Sequence, residues 1–378
     1  MLKRGLLPVW RDRDTLQIGI DSRRAVALTG MAGAGWVIGL LDGSRDRAQV
    51  VQTAADQGIP AETTERVLAL LAAAGALDDF PAGTLRLLSP PVRARLATEL
   101  AAASLAHRDG DGGARTLARR LTAQVRIHGA GTVGNGIASL LASSGVGQVT
   151  NADRQRPEKS QSTPNGPGTL RPGVTSAGPD GSGEPPTGTA RPAKPRPGTG
   201  RPGSPQSSTG RPGNPRRGTG RPGTGELGMA PPRAALPDLA ILVGRHLMEL
   251  RASLMRDRIA HLAVSADEAI GVVGPLVIPG RTACLRCLDL TRAERDPAWP
   301  LILAQLEGRE CNPCACDAPL AAAVAAQAAA QVLAFIDRAV TAGPVANGTL
   351  ELVLPGWQWR RRTWPRHPGC SCGSHAAR

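Results

Sequence analysis

Val125-Arg-Ile-His-Gly-Ala-Gly-Thr-Val-Gly-Asn-Gly136 decides how the rest of the 378-residue chain is read. A short apolar run, Val125 to Ile127, feeds Gly129, Gly131 and Gly134 in the spacing G-x-G-x-x-G, and an apolar helical pattern (Ile137, Leu140, Leu141) follows. The order predicts strand, tight turn, helix. Glycine serves there for three reasons: the first permits the turn, the second lets backbone approach a phosphate, and the third lets helix and strand pack closely. A phosphate would sit on the helix N-terminus, where free N–H groups and the dipole favour an anion. After Gly145 a second run, Gln148 to Ala152, ends in Asp153. That is about 20 residues past the turn, where such folds place the acid that binds ribose hydroxyls. The expectation is a nucleotide-binding unit in an α/β domain; the plainer alternative is a packing turn.

The chain is long enough for two domains, and no apolar run reads as a membrane span. Met1 to Trp10 is too short in its apolar part for a signal peptide. A cytoplasmic location is expected, where thiols stay reduced, so the seven cysteines suggest metal or catalysis before disulfides. The formal net charge of +14 invites a nucleic-acid reading, but between Arg154 and Arg233 there are 13 basic and 4 acidic side chains, so most of the excess lies in one segment. That segment repeats with a period of ten: Thr189-Ala-Arg-Pro-Ala, then Thr-Gly-Arg-Pro-Gly from Thr199, Thr209 and Thr219. Residues 154–235 are therefore expected to form a disordered insert, either a solvated repeat expansion or a weak contact for nucleic acid or an acidic partner.

Residues 1–90 carry the pattern of a small module. Thr15 to Ile20 and Ala25 to Leu28 flank Asp21-Ser-Arg-Arg24 as a hairpin, and helical stretches follow at Trp36 to Leu41, Asp46 to Gln57 and Glu62 to Ala74. A hairpin and three helices predict a winged-helix-like arrangement. From Met1 to Pro90 there are ten basic and ten acidic residues, so the footprint of a DNA reader is missing and nucleic acid is disfavoured as a partner. Residues 91–122 read as a helical connector: an alanine-rich helix from Pro91 to His107, a loop, and a short basic helix from Arg115 to Leu121.

The cysteines form two close pairs far apart in sequence. Cys284-Leu-Arg-Cys287 follows the strand-like run Gly271 to Ile278, and Cys370-Ser-Cys372 lies near the C-terminus. The spacing suits a structural zinc held by four thiolates, with free buried thiols as the alternative. Cys311, Cys314 and Cys316 are harder to place. Cys316 precedes the helix expected from Pro319 to Arg338, so a lowered pKa and a nucleophilic role are one reading; spare loop thiols are the other. His367 is a further candidate zinc ligand or, before Pro368, a turn residue. Thr349 to Leu354 and Trp357 to Trp364 read as a closing hairpin whose tryptophans pack.

With these motifs in hand, the stretch from Val125 to Cys372 resembles the ThiF family, relatives of ubiquitin-activating enzymes, and in detail an actinobacterial branch linked to azoline-type modification of ribosomal peptides. Carrying the resemblance are Gly129 to Gly134, Asp153, the run Gly271 to Leu290, Arg295-Asp-Pro-Ala-Trp-Pro300 and His367-Pro-Gly-Cys-Ser-Cys372. The N-terminal module, with Trp36-x-x-x-Leu-Leu-Asp-Gly-Ser-Arg-Asp46, resembles the PqqD-like domains that bind a leader peptide by adding it to a sheet edge.

The resemblance implies a Rossmann-like doubly wound sheet over 123–153 and 236–378, structural zinc on Cys284, Cys287, Cys370 and Cys372, and a homodimer. For active members it also implies ATP, magnesium and adenylation of a peptide or protein C-terminal carboxylate. The chain departs where catalysis would sit. Active relatives follow the ribose acid with an arginine, a phosphate-contacting lysine and a helix–strand unit, and the Pro/Gly repeat occupies that region here. Their magnesium-holding aspartate follows a later strand; here Leu239 to Val243 runs into Gly244-Arg-His246, and Asp238 precedes the strand. No catalytic residue is assigned. Two readings stand: a weakly or non-catalytic protein that presents a precursor leader peptide to a cyclodehydratase-type enzyme, or an active ATP-dependent adenylyltransferase.

Overall fold

The structure is a computed structural model that describes residues 1–79, 89–129, 131–152, 236–244, 248–306, 315–338 and 343–372. Asp153, the insert at 154–235, Arg245, His246, Cys311 and Cys314 lie outside the described residues.

The hairpin expected near the N-terminus forms. Strands β2 (Thr15–Ile18) and β3 (Val26–Thr29) pair antiparallel, and a third strand, β1 (Pro8–Trp10), adds to β2, giving the order β1-β2-β3. Three helices follow: α1 (Ala34–Gly39), α2 (Arg47–Ala55) and α3 (Ala61–Ala73). Each begins and stops for a local reason. Asp46 caps α2, accepting from the Gln49 N–H at 2.8 Å while the Gln49 side chain accepts from the Asp46 N–H at 3.0 Å. Gly58, at φ 79°, closes it. Leu16, Ile18 and Leu28 meet Val37, Ile38, Val67, Leu68 and Leu71 in one core. Lys3 is buried beneath this module, with its Nζ 2.8 Å from Asp78 and donating to the Ser104 hydroxyl at 2.8 Å. An unpaired buried ammonium would be costly, so this triad ties the N-terminal segment to the connector.

The connector contains α4 (Pro90–Arg95), α5 (Ala97–His107) and α6 (Ala114–Thr122). Arg120 on α6 donates to both carboxylate oxygens of Asp337 at 2.9 and 2.7 Å and to Glu99 at 3.0 Å. This bidentate pair fixes α6 against the far end of the long helix described next.

The remaining elements are β4 (Gln124–His128), α7 (Thr132–Ser143), β5 (Gln148–Asn151), β6 (Leu239–Val243), α8 (Met248–Arg256), β7 (Ala260–Asp267), β8 (Ile270–Val277), α9 (Leu285–Arg295), α10 (Trp299–Leu306), α11 (Ala318–Ile336), β9 (Gly348–Val353) and β10 (Gln358–Thr363). The sheet has seven strands in the order β10-β9-β8-β7-β6-β4-β5. Neighbours among β5, β4, β6 and β7 run parallel, and β7 to β10 pair antiparallel. The expected doubly wound sheet is thus a mixed sheet: β7–β8 and β9–β10 are tight hairpins, and the long connection carrying α9, α10 and α11 returns β9 antiparallel to β8. One face packs on α7 and α11 through Ile137, Leu141, Leu320, Val324, Ala328 and Val332. The other packs on α8, α9 and the chain end. By length and composition alone α11 is long and apolar enough to cross a membrane, a test that a buried core helix also passes. Its Leu320–Val324–Ala328–Val332 face is buried in the core, and Ala325 sits where a side chain on Gly136 of α7 would come within 3.0 Å.

Candidate functional site

The glycine turn joins β4 to α7 as expected, and its three glycines serve different ends. Gly129 has φ 113°, and a Cβ there would lie 2.2 Å from the Val243 carbonyl oxygen of β6. A Cβ on Gly134 would lie 2.6 Å from the Gly129 carbonyl oxygen. Both are dictated by close packing, which is what the plainer alternative requires. Gly131 differs: it holds φ 96° as the residue before α7, yet among the described residues a Cβ there would meet nothing within 4 Å. The turn is therefore open at Gly131, over a helix start with no side-chain cap, where first-turn N–H groups have no intrahelical partner. Gly244 follows β6 next to this turn and donates its N–H to Val264 at 2.8 Å. Asp238 stands at the opposite end of β6, where its carboxylate accepts from the Gln124 N–H at 2.8 Å and fixes the start of β4.

The four expected ligand cysteines come together. Cys284 precedes α9 and Cys287 lies in its first turn, while Cys370 and Cys372 arrive from the chain end. The Sγ atoms of Cys284 and Cys287 are 3.7 Å apart, Cys284 and Cys370 3.6 Å, and Cys287 and Cys372 3.4 Å, with all four within 4.8 Å of one another. A tetrahedron with metal–sulfur bonds of about 2.3 Å has sulfurs about 3.8 Å apart, so the four thiols fit a metal ion. Burial pushes the Cys284 and Cys372 thiols up, and a metal would have to displace their protons. The clamp is braced behind: Trp364 is buried and donates its indole N–H to Thr349 at 2.9 Å, and Asn347 accepts from the Ala283 N–H at 2.6 Å.

Two alternatives left open by the sequence are narrowed. His367 stays outside the cluster, with Nε2 2.8 Å from Glu294 and Nδ1 accepting from the Gly369 N–H at 3.0 Å; it is a turn residue. Cys316 is no activated nucleophile: burial raises its thiol pKa, and the Asp317 and Asp267 carboxylates push the same way. Asp317 itself caps α11 by accepting from the Leu320 N–H at 2.8 Å. A site the sequence reading missed is a cleft between β7, β8 and α9, in which Arg292, Trp299 and Thr349 meet Gly244 and Ser265. The arginine and its tryptophan are seven residues apart and carry no metal or catalytic signature, so nothing in the spacing marks them.

No family model and no curated protein matches the chain. Solved structures do match. The heterocyclase TruD aligns with TM-score 0.57 at 15% identity over 99% of this chain and 42% of that one. E. coli MccB with succinimide aligns with TM-score 0.57 at 13% identity over 99% of this chain and 98% of that one. A heterocyclase in complex with substrate and cofactor aligns with TM-score 0.57 at 14% identity over 98% of this chain and 39% of that one. At such identities the likeness shows the fold, a mixed α/β chain matching MccB; this chain spans 42% and 39% of the two heterocyclase chains.

Proposed function

We propose that this chain captures the leader segment of a ribosomally made precursor peptide and presents it to a partner modifying enzyme of cyclodehydratase type, with weak adenylation or none of its own. The observation that carries the reading is the edge of β3, which pairs with no further strand among the described residues. The Gly30 N–H donates to the Asp14 carbonyl, and the β2–β3 register pairs Leu16 with Leu28 and Gln17 with Ala27. Alternation then turns the Leu28 backbone groups toward β2 and those of Ala27 and Thr29 outward. Helix α3 packs against this strand, so an extended peptide would meet backbone partners and a helix face together. The opposite edge is blunted, because Pro8 of β1 has no N–H to offer. The resemblance to the ThiF and PqqD-like families supports the same reading, as does the likeness to MccB, solved with the peptide MccA, and to TruD. The four thiolates would hold zinc as a structural ion that clamps the chain end to α9. Selection from a displayed peptide library with the intact chain as bait tests the proposal: it should enrich a family of binders, retained at least about tenfold less well by Ala27→Pro, the loss expected for one to two edge hydrogen bonds.

The second reading, an active adenylyltransferase, is favoured by the open turn at Gly131 and by the fold shared with MccB, which has been solved with ATP. Magnesium would then accompany the nucleotide. Groups that neutralise the leaving pyrophosphate are what acceleration requires, and among the described residues none stands where the resemblance places them. ATP–pyrophosphate exchange by the intact chain with a selected peptide should stay at background.

A further inference from the structure

A cavity of 530 Å³ lies on the clamp side of α9, and neither reading uses it. Its size falls within the ~300–1,000 Å³ of sites that take a small organic molecule. Helices α8, α9 and α10 wall it with Met255, Leu285, Leu290, Ala293, Trp299 and Leu303, while Cys284, Cys370 and Cys372 border it. Strand β7 contributes His261.

His261 is the group the fold leaves incomplete. Its side chain is fully buried, and Nδ1 lies 3.0 Å from the Ile259 carbonyl oxygen. A carbonyl can only accept, so Nδ1 holds the proton and Nε2 of the neutral ring is an acceptor. Burial holds the ring below its ordinary pKa and Arg251 pushes the same way, which keeps it neutral. Nε2 is buried and has no hydrogen-bond partner. Leaving a buried acceptor unmatched is costly, and a donor entering the cavity would relieve that cost. The metal does not explain the histidine, because the four thiols gather around one ion position without it.

The rest of the wall narrows the occupant. Asp289 lies 3.4 Å from Arg251 and accepts from the Trp299 indole N–H at 3.3 Å, so its charge is already matched. A charged ligand would pay heavily for burial among the apolar side chains. Peptide amides would find few partners there for the same reason. What fits is a neutral molecule with one donor and an apolar body. Trp299 and Met255 favour a flat aromatic one, through ring packing and sulfur contact. The chain contains no tyrosine, so neither it nor a second copy can supply a phenolic hydroxyl.

We infer that this cavity binds a small neutral phenol whose hydroxyl donates to Nε2 of His261. The inference does not rest on peptide capture at β3, so a normal result with Ala27→Pro leaves it intact, and its own failure leaves that reading intact.

The test uses the full chain supplied with zinc and two probes of similar shape, 2-naphthol and 2-fluoronaphthalene, which differ in the donor. They are titrated while the side-chain nitrogen signals of His261 are followed by NMR. The naphthol should move the Nε2 signal upfield and bind at least about tenfold more tightly than the fluoro compound, as one hydrogen bond to an unmatched buried acceptor predicts. His261→Phe, which keeps a ring and removes the acceptor, should bring the two probes to equal affinity. Leu303→Trp, which fills the cavity from α10, should abolish binding of both. Should either variant fail to fold, the affinity ratio and the His261 signal of the unaltered chain still decide. Equal affinity for the two probes, no binding of the naphthol, an unmoved His261 signal, or an unchanged preference in folded His261→Phe would overturn the inference.

Discussion

The glycine turn and the cysteine clamp lie in one domain and retain their chemistry to different degrees. At the clamp, four thiols from two distant segments converge to within 4.8 Å, and the buried Trp364 and the Asn347 amide brace them from behind. At the turn, the backbone holds Gly129 and Gly131 in the left-handed region, and β6 runs on into Gly244. The clamp brings four thiols together from two distant segments, whereas packing alone accounts for two of the three glycines of the turn. Gly129 and Gly134 show this, since the fold would demand them with no ligand ever bound.

The largest expected effect comes from breaking the clamp. Structural zinc contributes ~10–16 kcal/mol in small metal-dependent modules, so chelation or Cys287→Ser should abolish the cooperative unfolding transition of the sheet domain. Metal analysis of the intact chain should find about one zinc per molecule. A metal-free protein with an unchanged transition would reduce the cluster to buried thiols.

Substitutions in the turn separate packing from access. Gly129→Ala forces a Cβ against the Val243 carbonyl and should cost about 3 kcal/mol or more in denaturant unfolding. Gly131→Ala meets open space and should cost only the backbone strain of its positive φ, roughly 1–2 kcal/mol. Equal costs would mean that Gly131, too, is held by packing.

A smaller effect lies on the other face of the sheet. His261 is fully buried on β7 with Nδ1 3.0 Å from the Ile259 carbonyl oxygen; burial holds its pKa below the ordinary value, and Arg251 pushes the same way. The unfolded chain therefore binds this proton more readily than the folded one, so stability is fully present above a pH of about 6.5 and declines as pH falls below it. His261→Asn, which keeps a donor for Ile259, should flatten the urea midpoint between pH 7.5 and 5.5, taken as about one unit either side of that value. An unchanged slope would place the pH dependence elsewhere.

Much of this was legible in the chain. The G-x-G-x-x-G spacing fixed β4 and α7, the paired cysteines gave the clamp, and Asp21-Ser-Arg-Arg24 marked the turn of the first hairpin, where Asp21 accepts from the Arg23 N–H at 2.9 Å. What escaped had physical causes. Strand β1 is three exposed residues with a proline, and shows no alternation. Strand β7 is buried on both faces along Ala260 to Leu262, which erases the period of two. No spacing links Lys3 to Asp78 or Arg120 to Asp337, since the partners are distant in sequence. The reading of Cys316 as an activated thiol rested on helix position alone; burial raises its pKa and the neighbouring carboxylates push the same way.

Peptide capture at β3 is tested most directly by amide hydrogen exchange of the intact chain, with and without a peptide selected from the library. The account predicts slowed exchange at Ala27 and Thr29, whose N–H groups face outward, together with protection along α3. Protection confined to β1 or to the turn around Gly131, with β3 unchanged, would contradict it.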